Sequence, residues 1–298
     1  MPPAPTFARV DHLVIAVHDL TATEEVYTAL LGLEPSWRGT HPALGTRNVI
    51  FGVTGCSIEL LAPEPGTPHH PAAAALQAYL AHKPEGLFAI ALGTDDVHRS
   101  ADALHAAGLP RSPISDGEAI AAAGAVRRWR SFTIARQQAR GVNVVAIEHE
   151  TAGAVPRAAP TATASTVVSG VDHVVVFSDD LEGALRLWRD TFAIPERWRR
   201  EFPERGTINV GLRLAGVTLE LVAPRGAAAG ERGERLWGVA YVVRDCDGTV
   251  ARLRAAGIPV SDARAGLAPA TRVATVKWTD HVPTLLLEHT ERGTALRS

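Results

Sequence analysis

Apolar and polar positions along the chain switch between two periods. Residues 11–17, DHLVIAV, form a β-branched apolar run of strand length. Asp19 follows as a suitable N-cap, and Val26, Leu30 and Leu31 fall at helical spacing, which predicts a helix over 21–31. Strands are expected near 47–53 and 57–62, with Gly55 in the turn between them. Further on, LFAIAL (87–92) reads as a strand and VHRSADALHAAG (97–108) as a helix stopped by Gly108, followed by two or three strands. HHPAAAALQAYLAHK (69–83) predicts an additional helix joining these two stretches. The unit is βαβββ, written once over 8–66 and again over 86–150.

The whole arrangement then recurs. At a spacing of 161 residues Asp11 matches Asp172, His12 matches His173, Asp19 matches Asp180 and Trp37 matches Trp198. The same spacing pairs Gly45/Gly206, Thr46/Thr207, Asn48/Asn209 and Glu59/Glu220. SIELLAP and TLELVAP read almost as one phrase, and a second helix is expected over 182–192 behind Asp180. At a spacing of 149, LFAIAL meets LWGVAY, ALHAAGLP meets RLRAAGIP, and Trp129 meets Trp278; after nine extra residues AIEHE meets LLEHT. The chain is a tandem duplication: domain one over 8–150, and domain two over 170–292 with modules 170–226 and 235–292. Residues 151–169 are rich in Ala, Thr, Pro and Ser without amphipathic period and read as a linker.

Composition narrows the class. The 298 residues are 46% hydrophobic and 21% charged, ordinary for a globular protein with a sizeable core. A net charge of −2 gives no reason to expect nucleic acid or an anionic membrane as partner. The apolar runs fall far short of the ~20 residues of a membrane helix. No secretory signal is expected from MPPAPTFARVDH, and two cysteines, Cys56 and Cys246, suit a reducing cytoplasm.

His12 and Glu59 sit in otherwise apolar strands. Ile58 and Leu60 flank Glu59 on the opposite face, so a cup-facing Glu59 needs a partner. The sequences VDHLVIAV, GTHPALGTRNVIF, SIELLAP and AIEH resemble the glyoxalase-like branch of the vicinal oxygen chelate superfamily, which includes glyoxalase I, methylmalonyl-CoA epimerase, extradiol dioxygenases and fosfomycin and bleomycin resistance proteins. The resemblance implies an α+β fold in which four βαβββ modules pair into two incompletely closed eight-stranded cups. It also implies a divalent metal (Fe, Mn, Ni, Co or Zn) on each cup floor. The implied ligands are His12, Glu59 and Glu148 in domain one, with Ala89 at the fourth position. In domain two they are His173, Glu220 and Glu288, with Gly238 at the fourth.

One imidazole and two carboxylates suit such ions as Lewis acids, and Glu59 or Glu148 is the implied base that removes a proton α to a carbonyl. His41, Thr46, Asn48 and Trp129 are candidates for holding a small-molecule substrate. The turn-forming role of Thr46 and Asn48 and the core role of Trp129 are the favoured readings, RRWR (127–130) reads as a solvated strand, and an anionic group held by Arg127 or Arg130 is the minor option. His149 and His281 are further imidazoles without an assigned place. The expected function is a metal-dependent lyase or isomerase. Its rivals are a metal-free binding or resistance protein and a ring-cleaving dioxygenase, the latter disfavoured by the shortage of histidine ligands. Modules pair either within the chain or across a homodimer, since the superfamily does both.

Overall fold

A computed structural model describes residues 7–150, 155–226, 233–278 and 282–290. The first half contains β1 (Arg9–Ala16), α1 (Leu20–Leu31), β2 (Trp37–His41), β3 (Thr46–Val53), β4 (Cys56–Pro63), α2 (Pro71–His82), β5 (Gly86–Gly93), α3 (Val97–Ala106), β6 (Ser115–Ala121), β7 (Val126–Ile134) and β8 (Asn143–His149). The second contains β9 (Gly170–Ser178), α4 (Leu181–Leu185), β10 (Glu196–Phe202), β11 (Thr207–Leu214), β12 (Val217–Pro224), β13 (Glu234–Val242), α5 (Cys246–Ala255), β14 (Arg264–Ala265), β15 (Thr271–Val276) and β16 (Thr284–His289). A π-helical turn, Arg186–Thr191, prolongs α4. Among the described residues no helix is long and apolar enough to cross a membrane.

Each helix begins where the sequence offers a cap. Asp19 accepts from the amides of Thr21 and Ala22, and Asp96, Asp180 and Asp245 cap α3, α4 and α5 in the same way. Gly32 ends α1 in the left-handed conformation, φ 69°.

Modules pair within each half. The first half forms a closed barrel, β1-β4-β3-β2-β6-β7-β8-β5, in which β1 lies parallel to β4 and antiparallel to β5. Its narrowest pairing is the seam between modules, where only Gly39↔Ala121 and Thr40↔Ile120 join β2 to β6. The second half keeps the same order as an open sheet, β10-β11-β12-β9-β13-β16-β15-β14. There β10 and the two-residue β14 do not meet, so the cup stays open at the corresponding place.

Alternate residues of each strand face the helices or the cup interior. Leu13, Ile15, Ile58, Leu60, Val144 and Ala146 belong to a core that runs continuously through both halves. On the other face, α2 packs Leu76 and Leu80 against Ala16, Leu61 and Phe88 and covers part of the first cup's interior. Residues 155–169 lie between the halves rather than hanging free. Ala158 donates to the Gly52 carbonyl and Val168 to that of Leu31, while Ser169 donates to Val242. Residues 151–154 are outside the described part.

Candidate functional site

The site in the first cup begins with a β-bulge. Val10 pairs with Leu92 and His12 with Ala91, which leaves Asp11 as the extra residue of β1. A bulge re-aims side chains. Here it lets Asp11 and His12, adjacent in sequence, meet at 2.8 Å between Oδ1 and Nδ1. His149 joins from β8, its Nε2 3.0 Å from the same Asp11 oxygen.

From His12 the line continues across β4 and β3. Nε2 of His12 lies 3.3 Å from Glu59 Oε2. Asn48 donates its amide to Glu59 Oε1 at 2.5 Å and contacts His41 Nε2 at 3.2 Å. His41 Nε2 is thereby the acceptor, so its Nδ1–H faces Thr46 Oγ1 at 2.8 Å and the ring is neutral. Trp129 stands edge-on to His41, ring centres 5.6 Å apart. Glu59 is 7% exposed, His41 6% and Asn48 1%.

Charge follows from these contacts. Burial works against charge on His12, but the bonds to Asp11 and Glu59 prevail and raise its pKa to about 9. Burial would also raise Glu59, yet its bond to His12, the charge of His12 and the Asn48 amide bring it down to about 2. Burial opposes ionisation of Asp11 too, and the bonds from His12 and His149 hold it well below the usual carboxylate range. His41 is lowered by its burial. The resting site is an imidazolium flanked by two carboxylates.

Of the residues expected from sequence, the fold therefore brings together His12, Glu59, His41, Thr46, Asn48 and Trp129. Glu148 is elsewhere. It caps α3, Oε2 accepting from the Val97 amide at 2.8 Å, and pairs with Arg130 Nη2 at 2.7 Å. The reason is strand alternation: Glu148 shares the helix-facing side with Val144 and Ala146, whereas His149, one residue on, reaches Asp11. Glu288 does the same in the second half, accepting from the Cys246 amide at 2.8 Å.

The second cup repeats the line with one loss. Asp172 is again a bulge residue and binds His173 Nδ1 at 2.8 Å and His289 Nε2 at 3.1 Å. His173 Nε2 is 3.3 Å from Glu220, which accepts from Asn209 at 2.7 Å, and Thr207 closes on Asn209 at 3.0 Å. His173 is raised against its burial by Asp172 and Glu220. Phe202 stands where the first cup has His41.

The donor set implied for a divalent ion does not assemble. Glu148 and Glu288 are on the far face, Ala89 carries no donor, and a Cβ on Gly238 would lie 2.7 Å from the Pro283 carbonyl oxygen, excluding a larger side chain. Among the described residues no three His, Cys, Asp or Glu side chains group so as to hold a metal ion. His281 lies outside the described residues. Asp11 and Asp172 were not singled out as site residues from sequence, although their repetition beside each histidine was a usable signal.

The comparisons agree with this architecture. Residues 10–168 match the glyoxalase-like domain model, and residues 172–275 match the glyoxalase/bleomycin resistance protein/dioxygenase superfamily model. A 4-hydroxymandelate synthase mutant from Streptomyces coelicolor is similar at TM-score 0.65 and 15% identity, covering 98% of this chain and 95% of that one. A hypothetical protein from Staphylococcus aureus gives 0.63 and 13%, covering 93% and 98%. A xylose isomerase-like TIM barrel/4-hydroxyphenylpyruvate dioxygenase fusion protein gives 0.61 and 14%, covering 99% of this chain and 51% of that one. At these identities the likeness is one of fold. No curated protein matches the chain in sequence.

Proposed function

Because the chain belongs to the glyoxalase-like family of the vicinal oxygen chelate superfamily, we propose that its first cup takes a small oxygenated substrate and moves a proton on it. The protein is then an isomerase or lyase whose working pair is His12 and Glu59. The observation that carries this reading is the buried Glu59 carboxylate, held between the His12 imidazolium at 3.3 Å and the Asn48 amide at 2.5 Å. At rest Glu59 is a weak base. A substrate carbonyl that takes the hydrogen bond from His12 Nε2 removes the main influence lowering Glu59, and burial then raises its proton affinity. Binding itself prepares the base. The proton on the carbon α to that carbonyl passes to Glu59, while His12 donates to the oxygen on which charge develops.

The divalent ion common in the family has no complete donor set in the cup as described, so no step is assigned to it. Metal analysis of protein purified without chelator is expected to find well under one equivalent per chain. A stoichiometric ion that is lost in His12→Ala would overturn the metal-free form of this reading.

A second reading, a binding protein without turnover, is favoured by the low proton affinity of Glu59 in the resting pair. The two separate in deuterium oxide. Small ketones and 2-oxo acids that raise the melting temperature of the full chain are incubated with it and followed by proton NMR. Wild type is expected to exchange the α-hydrogens of its ligand and Glu59→Gln to lose that exchange. Exchange that persists in Glu59→Gln sinks the proposed base, and binding without any exchange leaves the binder.

A further inference from the structure

Among the described residues the Arg127 guanidinium of the first cup is not paired with an anion. The side chain of Arg127, on β7, forms no hydrogen bond or ion pair among the described residues. Among the described residues it meets an aromatic face instead, with the guanidinium carbon 5.3 Å from the centre of the Trp37 ring. Its Nε is shut off from solvent without a partner, and so is the indole Nε1 of Trp37. Burial lowers the Arg127 pKa, opposed only by the more distant charges of Glu59 and Asp11. Both of those carboxylates are already engaged by imidazoles and the Asn48 amide.

The placement is built by the strands. Arg127 lies opposite Ala119 in the β6–β7 pair, and β6 joins β2 at the two-residue seam. Trp37 opens β2, and its indole lies over Gly39, where a Cβ would come within 2.5 Å of Nε1. Trp129 follows Arg127 by two residues on the same face of β7, roughly 7 Å along the strand, and its indole lies over Gly117. Beyond Trp129 come His41, Asn48 and Glu59. Asn48 also keeps a buried, unpartnered Oδ1 on this path.

Buried donors without acceptors are costly and call for an acceptor. Two oxygens on one carbon suit a guanidinium and a neighbouring N–H. We propose that the ligand of the first cup is a small carboxylic acid, whose carboxylate is received by Arg127 and the Trp37 indole N–H at the β2–β6 seam. The remainder of the acid extends past Trp129 toward Asn48 and His12. The second cup is not equipped for this ligand: Val276 occupies the position of Arg127 and Phe202 that of His41. This inference rests on the first cup being the ligand site, but not on its turning a ligand over.

The test uses the full chain with ¹⁵N-labelled tryptophan and two matched probes, benzoate and benzamide. Benzoate is expected to shift the Trp37 indole N–H resonance, assigned with Trp37→Phe, in a saturable way, and benzamide to leave it in place at the same concentrations. Arg127→Gln should weaken benzoate by about 10- to 100-fold, the range for a hydrogen bond to a charged group. Arg127→Lys should keep part of the affinity, and Arg130→Gln all of it. Equal shifts with both probes, or unchanged affinity in Arg127→Gln, overturn the proposal. Benzoate has no α-hydrogen, so its binding through Arg127 stands or falls apart from exchange at Glu59. Exchange of neutral ketones that ignores Arg127 removes the acid and keeps the base.

Discussion

Asp11 and His12 are neighbours whose side chains ought to diverge, since alternate residues of a strand face opposite ways. The bulge overrides that rule, and nothing in the local pattern VDHLV announces it. Repetition was the better guide: His12, Glu59, Asn48 and Thr46 recur with His173, Glu220, Asn209 and Thr207, and in both halves they meet. The Asp11–His12–Glu59 line has a consequence for pH. His12 is raised from 6.5 to about 9, so its contribution to stability is complete below about 6.5 and is lost as pH rises through about 9. Glu59 is lowered from 4.5 to about 2, so its contribution is complete above about 4.5 and is lost as pH falls through about 2. Thermal unfolding followed across pH should therefore show the pair's full support between about 4.5 and 6.5. Glu59→Gln should flatten the alkaline decline and cost about 1–3 kcal/mol near neutrality, because it leaves His12 with one carboxylate. An alkaline limb identical to wild type would contradict this account.

At the scale of elements, Glu148 shows how a correct strand can carry a wrong inference. AIEHE was legible as a strand, but its register was not, and a slip of one residue exchanges the cup face for the helix face. On the helix face Glu148 binds the Val97 amide at the positive end of α3, as Glu288 does for α5. Glu148→Gln should weaken the first turn of α3 by about 1 kcal/mol, read as faster amide exchange at Val97–Arg99 than in wild type. Unchanged protection there would contradict the capping role. Helices α1 and α4 were legible behind their caps Asp19 and Asp180, and α3 ahead of its stop Gly108. The ring closure was not, because two residue pairs between β2 and β6 leave no sequence signal.

The whole molecule is held by more than its duplication. The core passes from one half to the other. Arg140 crosses between them, pairing with Glu234 at 2.5 Å and Asp180 at 3.1 Å, while the Trp188 indole donates to the same Glu234 at 2.7 Å. Glu234 has a fully buried side chain, and its pKa is raised by burial. Arg140→Ala should cost about 3–5 kcal/mol by stranding that carboxylate, and denaturation of wild type should be one transition for both halves. Two separate transitions would refute the shared core. The stretch between the copies has its own consequence. Glu34 and Thr161 close backbone bonds across it with Ala159 and Gly32, and Arg244 and Arg252 bind its carbonyls from the other side. The boundary at which the gene was copied is thus not a place where the product can be cut. A fragment ending at residue 150 would lose the peptide groups that sheathe the end of α1, and the ancestral single copy needed some other cover there.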